Sequence, residues 1–83
     1  MGKILVSLKV PMLGEKYDVF VQDDMNIGTL TNILVQGIYD ISGGKYNISG
    51  REMLMSLKPD ELLNPQNTLY EYGISDGTPL MII

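Results

Sequence analysis

The sequence predicts an α+β fold in which a mixed sheet carries one main helix across one face and a short helical turn before the last strand. Three observations point there. Two segments of period two stand at the N-terminus with Pro11 and Gly14 between them; one stretch of period 3.6 follows; and the chain then returns to short apolar runs, closing on "PLMII". A hairpin, a helix and returning strands bury their apolar sides by laying the helix on the sheet. The 83 residues, 45% of them apolar, supply the core of one domain spanning 1–83.

In "KILVSLKV", Ile4, Val6, Leu8 and Val10 share one parity and Leu5, Ser7 and Lys9 the other, so the first set faces the core. After "PMLGEK" the residues Tyr17, Val19 and Val21 alternate with Asp18, Phe20 and Gln22, which makes the second arm of a hairpin. Ile27, Leu30, Leu34, Ile38 and Ile41 then fall on one helical face together with Gly37. Asn26 is placed to cap this helix, Asp23 and Asp24 lie near the positive end of its dipole, and Gly43-Gly44 ends it. Gly37 costs the helix about 1 kcal/mol relative to Ala. Its presence implies close approach of helix to sheet.

Beyond a loop from Lys45 to Gly50, "EMLMSL" reads as a third strand with Met53, Met55 and Leu57 on one side and Leu54 on the other. "KPDELLNPQ" is a short strand or turn that sends Leu62 or Leu63 into the core. In "TLYEYG", Thr68 and Glu71 form a capping box around one helical turn, with Gly73 at its exit. "SDGT" turns the chain into the final strand, where Leu80 and Ile82 oppose Met81 and Ile83. The first and last strands, both continuous apolar segments, are expected side by side and parallel in the middle of the sheet.

The C-terminal third, "LLNPQNTLYEYGISDGTPLMII", resembles the ubiquitin pattern, with Leu63, Thr68, Leu69, Tyr72, Ile74, Leu80 and Ile82 in its places. The resemblance implies a β-grasp, ubiquitin-like fold over nearly the whole chain. It also implies that the Tyr72 hydroxyl is tied to the backbone of the preceding loop. More narrowly, "YDVFV", "IGTLTNILVQGI" and "YGISDGTPLMII" are similar to bacterial ubiquitin-like proteins of the YukD/EsaB type. That likeness implies a cytoplasmic accessory or regulatory part of a type VII secretion system, with a protein partner drawn from that machinery. Ubiquitin and the sulfur carriers work through a flexible Gly-Gly tail. Ile82-Ile83, held in a strand, is expected not to support that chemistry, so the chain is expected not to be conjugated.

Chemistry is sparse. With no His and no Cys, the commonest general base, thiol nucleophile, thiolate zinc site and iron–sulfur ligand are missing, and no cofactor is implied. Asp23-Asp24 and Asp60-Glu61 are adjacent pairs near turns or a helix start, where capping is the ordinary role. "SGGK" at Ser42–Lys45 follows a helix instead of preceding one, so it is a helix stop and not a phosphate loop. Asn47-Ile48-Ser49 fits a glycosylation acceptor by chance. Six basic residues are scattered against ten acidic ones, which argues against nucleic acid and anionic membranes as partners. No stretch reaches the ~20 apolar residues of a membrane span. Gly2 lacks the Ser or Thr that myristoylation wants at position six, where Val6 stands.

Contact surface is what remains. Leu5, Phe20, Leu54, Met81 and Ile83 are expected to project from the sheet face opposite the helix, and a contiguous apolar patch implies a protein partner or a homodimer. Val35 and Tyr39, expected to point away from the core, form a second candidate surface. Two other readings stay open: a modifier or sulfur carrier, and a small-ligand-binding domain.

Overall fold

The structure, a computed structural model, describes residues 2–83. The N-terminal alternation forms β1 (Lys3–Val10) and β2 (Glu15–Gln22), antiparallel and in register from Lys3 opposite Gln22 to Val10 opposite Glu15. A turn of 3₁₀ helix from Pro11 to Leu13 joins them, and Gly14 leaves it with φ 65°, a left-handed conformation that glycine adopts without strain. The helix α1 (Ile27–Ile41) follows; three short strands complete the sheet: β3 (Leu54–Leu57), β4 (Asp60–Leu62) and β5 (Pro79–Ile82). The strand order is β2-β1-β5-β3-β4, with β1 and β5 parallel at the centre and every other pair antiparallel. This is the expected layout.

The helix begins where the sequence places it. Asn26 Oδ1 accepts the N–H of Gly28 at 2.9 Å and of Thr29 at 3.3 Å, relieving two of the donors a helix start leaves unmatched. The far loop meets a third and shares one of the two: the N–H of Ile27 donates to the carbonyl of Asn67, and that of Gly28 also reaches the carbonyl of Pro65. Thr68 and Glu71 form the reciprocal capping box, at 2.8 and 3.2 Å, around the turn that ends at Gly73. Leu63, Leu69, Leu80 and Ile82 are buried in the core.

The helix is rotated from the expected face. Ile27, Leu30, Thr31, Leu34, Val35 and Ile38 are buried, a stripe at spacings of three, one, three, one and three residues. Val35 is therefore core, 4% exposed, and leaves the second candidate surface; Tyr39 stays outside. Ile41, counted among the core-facing residues, is 69% exposed. Thr31 fits the core because its hydroxyl donates to the Ile27 carbonyl at 2.7 Å, so no polar atom is left unmatched. Gly37 lies off the buried stripe, and a Cβ built there meets nothing within 4 Å. Close packing on the sheet is not its reason.

β3 also faces the other way from the expectation. Leu54 pairs with Ile82 and Ser56 with Leu80, so both share the helix side with two core residues, and Leu54 is 1% exposed. Leu54 is thus removed from the outer-face set and Met55 takes its place. The pattern misled because three apolar side chains outvote one apolar and one polar. Ser56 accepts the Lys58 N–H at its Oγ, 3.3 Å away, and this satisfied hydroxyl lets a polar residue sit among apolar ones.

The Lys45–Gly50 loop holds a core residue that the sequence reading passed over. Tyr46 is buried, and its hydroxyl donates to Glu52, which also gathers the N–H groups of Ser49 at 2.7 Å and Gly50 at 3.0 Å.

Candidate interaction surface

The sheet has one face under α1 and one face open. Strand parity assigns the open face to Leu5, Ser7 and Lys9 of β1, to Lys16, Asp18 and Phe20 of β2, to Met55 and Leu57 of β3, and to Pro79 and Met81 of β5. Register then builds a row across the sheet: Lys16 is opposite Lys9, Lys9 opposite Met81, Met81 opposite Met55, and Met55 opposite Leu62. One end of this row is basic and the other apolar. Ile83 continues the apolar end, since its N–H and carbonyl each bond Met53 at 3.0 Å.

Of the residues the sequence singled out, the structure leaves Phe20 and Ile83 exposed, at 65% and 52%, and Leu5 and Met81 half-buried. They do not form one patch. Leu5 and Phe20 are directly opposite each other, two positions along β1 from the row of Ser7, and four from that of Lys9 and Met81. Phe20 instead lies under the Lys3 ammonium, 5.1 Å from the ring centroid, a cation–π contact at an exposed site. The larger apolar ground is Met55, Leu57, Leu62, Met81 and Ile83. Leu62, exposed on β4, was missed because its neighbour Leu63 competes for the same core position and takes it.

A second depression lies at the other edge, between β2 and α1. It has a volume of about 330 Å³ and is lined by Tyr17, Val19, Phe20, Ile33, Gly37 and Ile41 among others. Its walls are almost wholly apolar side chains.

No chemistry converges elsewhere among the described residues, where no group of three or more His, Cys, Asp or Glu side chains is placed to hold a metal ion. Asp23 is buried and accepts the Gly2 N–H, which holds its carboxyl below the ordinary carboxylate value against the opposing effect of burial. Burial likewise works against ionised Glu52, but the N–H groups of Ser49 and Gly50 outweigh it and the carboxyl lies below its ordinary value. Burial, then the charge of Glu52, pushes the Tyr46 hydroxyl up. Asp23 and Glu52 each hold backbone N–H groups, and the Tyr46 hydroxyl braces Glu52. Asp60 and Glu61 lie exposed on β4, Ser42 closes α1, and Gly43 and Gly44 have φ of 67° and 83° as the helix stop requires. No helix among the described residues is long and apolar enough to cross a membrane.

Comparison with known proteins gives the fold. No protein-family model matches the sequence, and no curated protein matches it. Solved structures do. The chain is similar to the N-terminal ubiquitin-like domain of the 4931431F19Rik protein, with TM-score 0.70 and 21% identity over 98% of this chain and 73% of that one. It is similar to the ubiquitin-like domain of Dsk2 from Plasmodium falciparum, with TM-score 0.69 and 19% identity over 98% of this chain and 99% of that one. It also matches a chain of the inner membrane complex of ESX-5, a type VII secretion complex, with TM-score 0.73 and 16% identity; all of this chain is covered but only 21% of that one. The fold is ubiquitin-like β-grasp, a five-stranded mixed sheet with one helix.

Proposed function

We propose that this chain is a noncatalytic ubiquitin-like interaction module, working on the cytoplasmic side as an accessory or regulatory component of a type VII secretion system. The observation that carries the reading is the open sheet face, where Met55, Leu57, Leu62, Met81 and Ile83 are brought side by side by strand register. Methionines suit an adaptable contact, because the unbranched thioether repacks at little cost. An apolar row that ends in Lys9 and Lys16 fits a partner surface that is apolar at its centre and acidic on one flank. The secretion assignment is supported by the resemblance of "YDVFV" and "YGISDGTPLMII" to the YukD/EsaB type and by the ESX-5 neighbour, whose low identity is evidence of shared fold alone.

The test is direct capture. The chain is immobilised beside its Met55→Asp/Met81→Asp variant, and each is offered the detergent-solubilised type VII membrane complex from the same source. Wild type retains the complex, while the variant, shown by circular dichroism to keep its fold, does not. Equal retention by both rejects the sheet face, and retention by neither rejects the secretion partner.

A further inference from the structure

β2 is an outer edge of the sheet and eight residues long, whereas the opposite edge, β4, has three. A long edge offers a row of unpaired backbone donors and acceptors to another strand, and charged side chains are the usual defence. Here the charges have a particular order. Lys16 lies opposite Lys9 across the β1–β2 ladder, and Asp18 lies opposite Ser7. Like charges directly opposite destabilise a sheet, so Lys16 faces a repulsive neighbour on the one side and open solvent on the other.

A second copy of β2, run antiparallel about a two-fold axis through Tyr17, supplies what is missing. Tyr17 then faces its own counterpart, Lys16 of each copy faces Asp18 of the other, and Glu15 faces Val19. No other register that keeps the helix side in phase joins Lys16 to Asp18. A centre on Asp18 sets acid against acid, one on Lys16 sets base against base, and one on Val19 pairs Asp18 with Phe20. Edge charges that ward off foreign strands therefore complement their own copy in one alignment.

The helix side of the same edge gives an independent reason. A two-fold axis normal to the sheet keeps both helices on one face, so the depression lined by Tyr17, Val19, Ile33, Gly37 and Ile41 opens toward the second copy. Ile33 and Ile41, 53% and 69% exposed, flank Gly37, and the space a side chain would fill at Gly37 is empty. That glycine weakens the helix with no packing reason inside its own chain. Next to a Tyr17 pair on the axis it provides room.

We propose that the chain forms a two-fold homodimer by antiparallel pairing of β2 with β2 of a second copy, centred on Tyr17 and held in register by two Lys16–Asp18 pairs. The apolar part of the open face, with Met55 and Met81, stays free and keeps Lys9 beside it; the dimer draws only Lys16 from the docking row, so the two readings are tested separately.

Sedimentation equilibrium over a concentration series decides it. Wild type self-associates to a dimer, more weakly as salt is raised. Lys16→Asp and Asp18→Lys each raise the dissociation constant about tenfold or more, because two attractive cross-strand pairs become repulsive. The double variant Lys16→Asp/Asp18→Lys regains the dimer, and an equimolar mixture of the two single variants forms the heterodimer, an outcome that misfolded singles do not give. Circular dichroism checks each variant for fold. The proposal is overturned if wild type is monomeric throughout, if the folded single variants dimerise as wild type does, or if neither the double variant nor the mixture recovers.

Discussion

The hydroxyl oxygen of Tyr72 accepts a hydrogen bond from the backbone N–H of Asn64 at 2.9 Å, closing the loop that precedes the capping-box turn. Carbonyls of the same loop, Pro65 and Asn67, receive the first N–H groups of α1, so one phenol steadies a segment that also terminates the helix. Tyr72→Phe keeps the ring and removes the acceptor. The expected loss is about 1 kcal/mol, read as a lower urea midpoint at unchanged slope. An unchanged midpoint shows that the bond is replaced by water at no cost.

Asn26→Ala removes the side chain that serves Gly28 and Thr29. Loss of a helix cap costs about 1 kcal/mol. Thermal unfolding followed by far-ultraviolet circular dichroism should show the transition moved down with the native signal nearly intact. A variant as stable as wild type means that the Asn67 and Pro65 carbonyls set the helix start by themselves.

Gly37→Ala tests the other end of the scale. A Cβ there meets nothing within 4 Å, so the change reduces backbone freedom in the unfolded chain without a clash. Stability rises by up to about 1 kcal/mol in chemical denaturation. Destabilisation contradicts the open space over the helix.

Leu54 and Met55 are neighbours with opposite fates. Leu54→Asp buries an unpaired carboxylate in the core beside Ile82 and abolishes cooperative unfolding, whereas Met55→Asp faces solvent and leaves the transition in place. Near-ultraviolet and far-ultraviolet circular dichroism of the two variants separate these outcomes. A folded Leu54→Asp protein refutes the register of β3.

Acid sensitivity follows from two carboxyls. Asp23 and Glu52 both have folded values below the ordinary carboxylate value, so each favours the folded state above its unfolded value, and that contribution is lost as pH falls through the folded one. Stability of wild type declines with acid from the ordinary carboxylate range downward. Glu52→Gln starts less stable near neutrality, because a carboxylate that gathers Ser49 and Gly50 is replaced by a neutral amide, and it declines less steeply. Parallel curves of stability against pH for the two proteins eliminate Glu52 as a contributor.

Much of this molecule is legible in its sequence, because local spacing carries local structure. The alternation from Ile4 to Val10 and from Tyr17 to Val21 dictates a hairpin, Asn26 and Gly43-Gly44 bracket the helix, and Thr68 with Glu71 dictates the capped turn. Even the parallel central pair is expected from the predominantly apolar segments at the two ends of the chain. Parity alone puts Leu5, Phe20, Met81 and Ile83 on the open face, but it does not join them into one patch.

Tertiary structure decided what parity and periodicity leave degenerate. A strand of four residues has two faces of nearly equal apolar content, and only pairing of Leu54 with Ile82 and Ser56 with Leu80 settles which one the helix covers. An amphipathic helix fixes its stripe to within about one residue's rotation, roughly 100°, and contact with the sheet turned Val35 in and Ile41 out. Register across the sheet, which sets Lys9 beside Met81 and Met81 beside Met55, joins residues far apart in the chain. Such contacts depend on the packing of the whole core, and no short stretch of sequence encodes them.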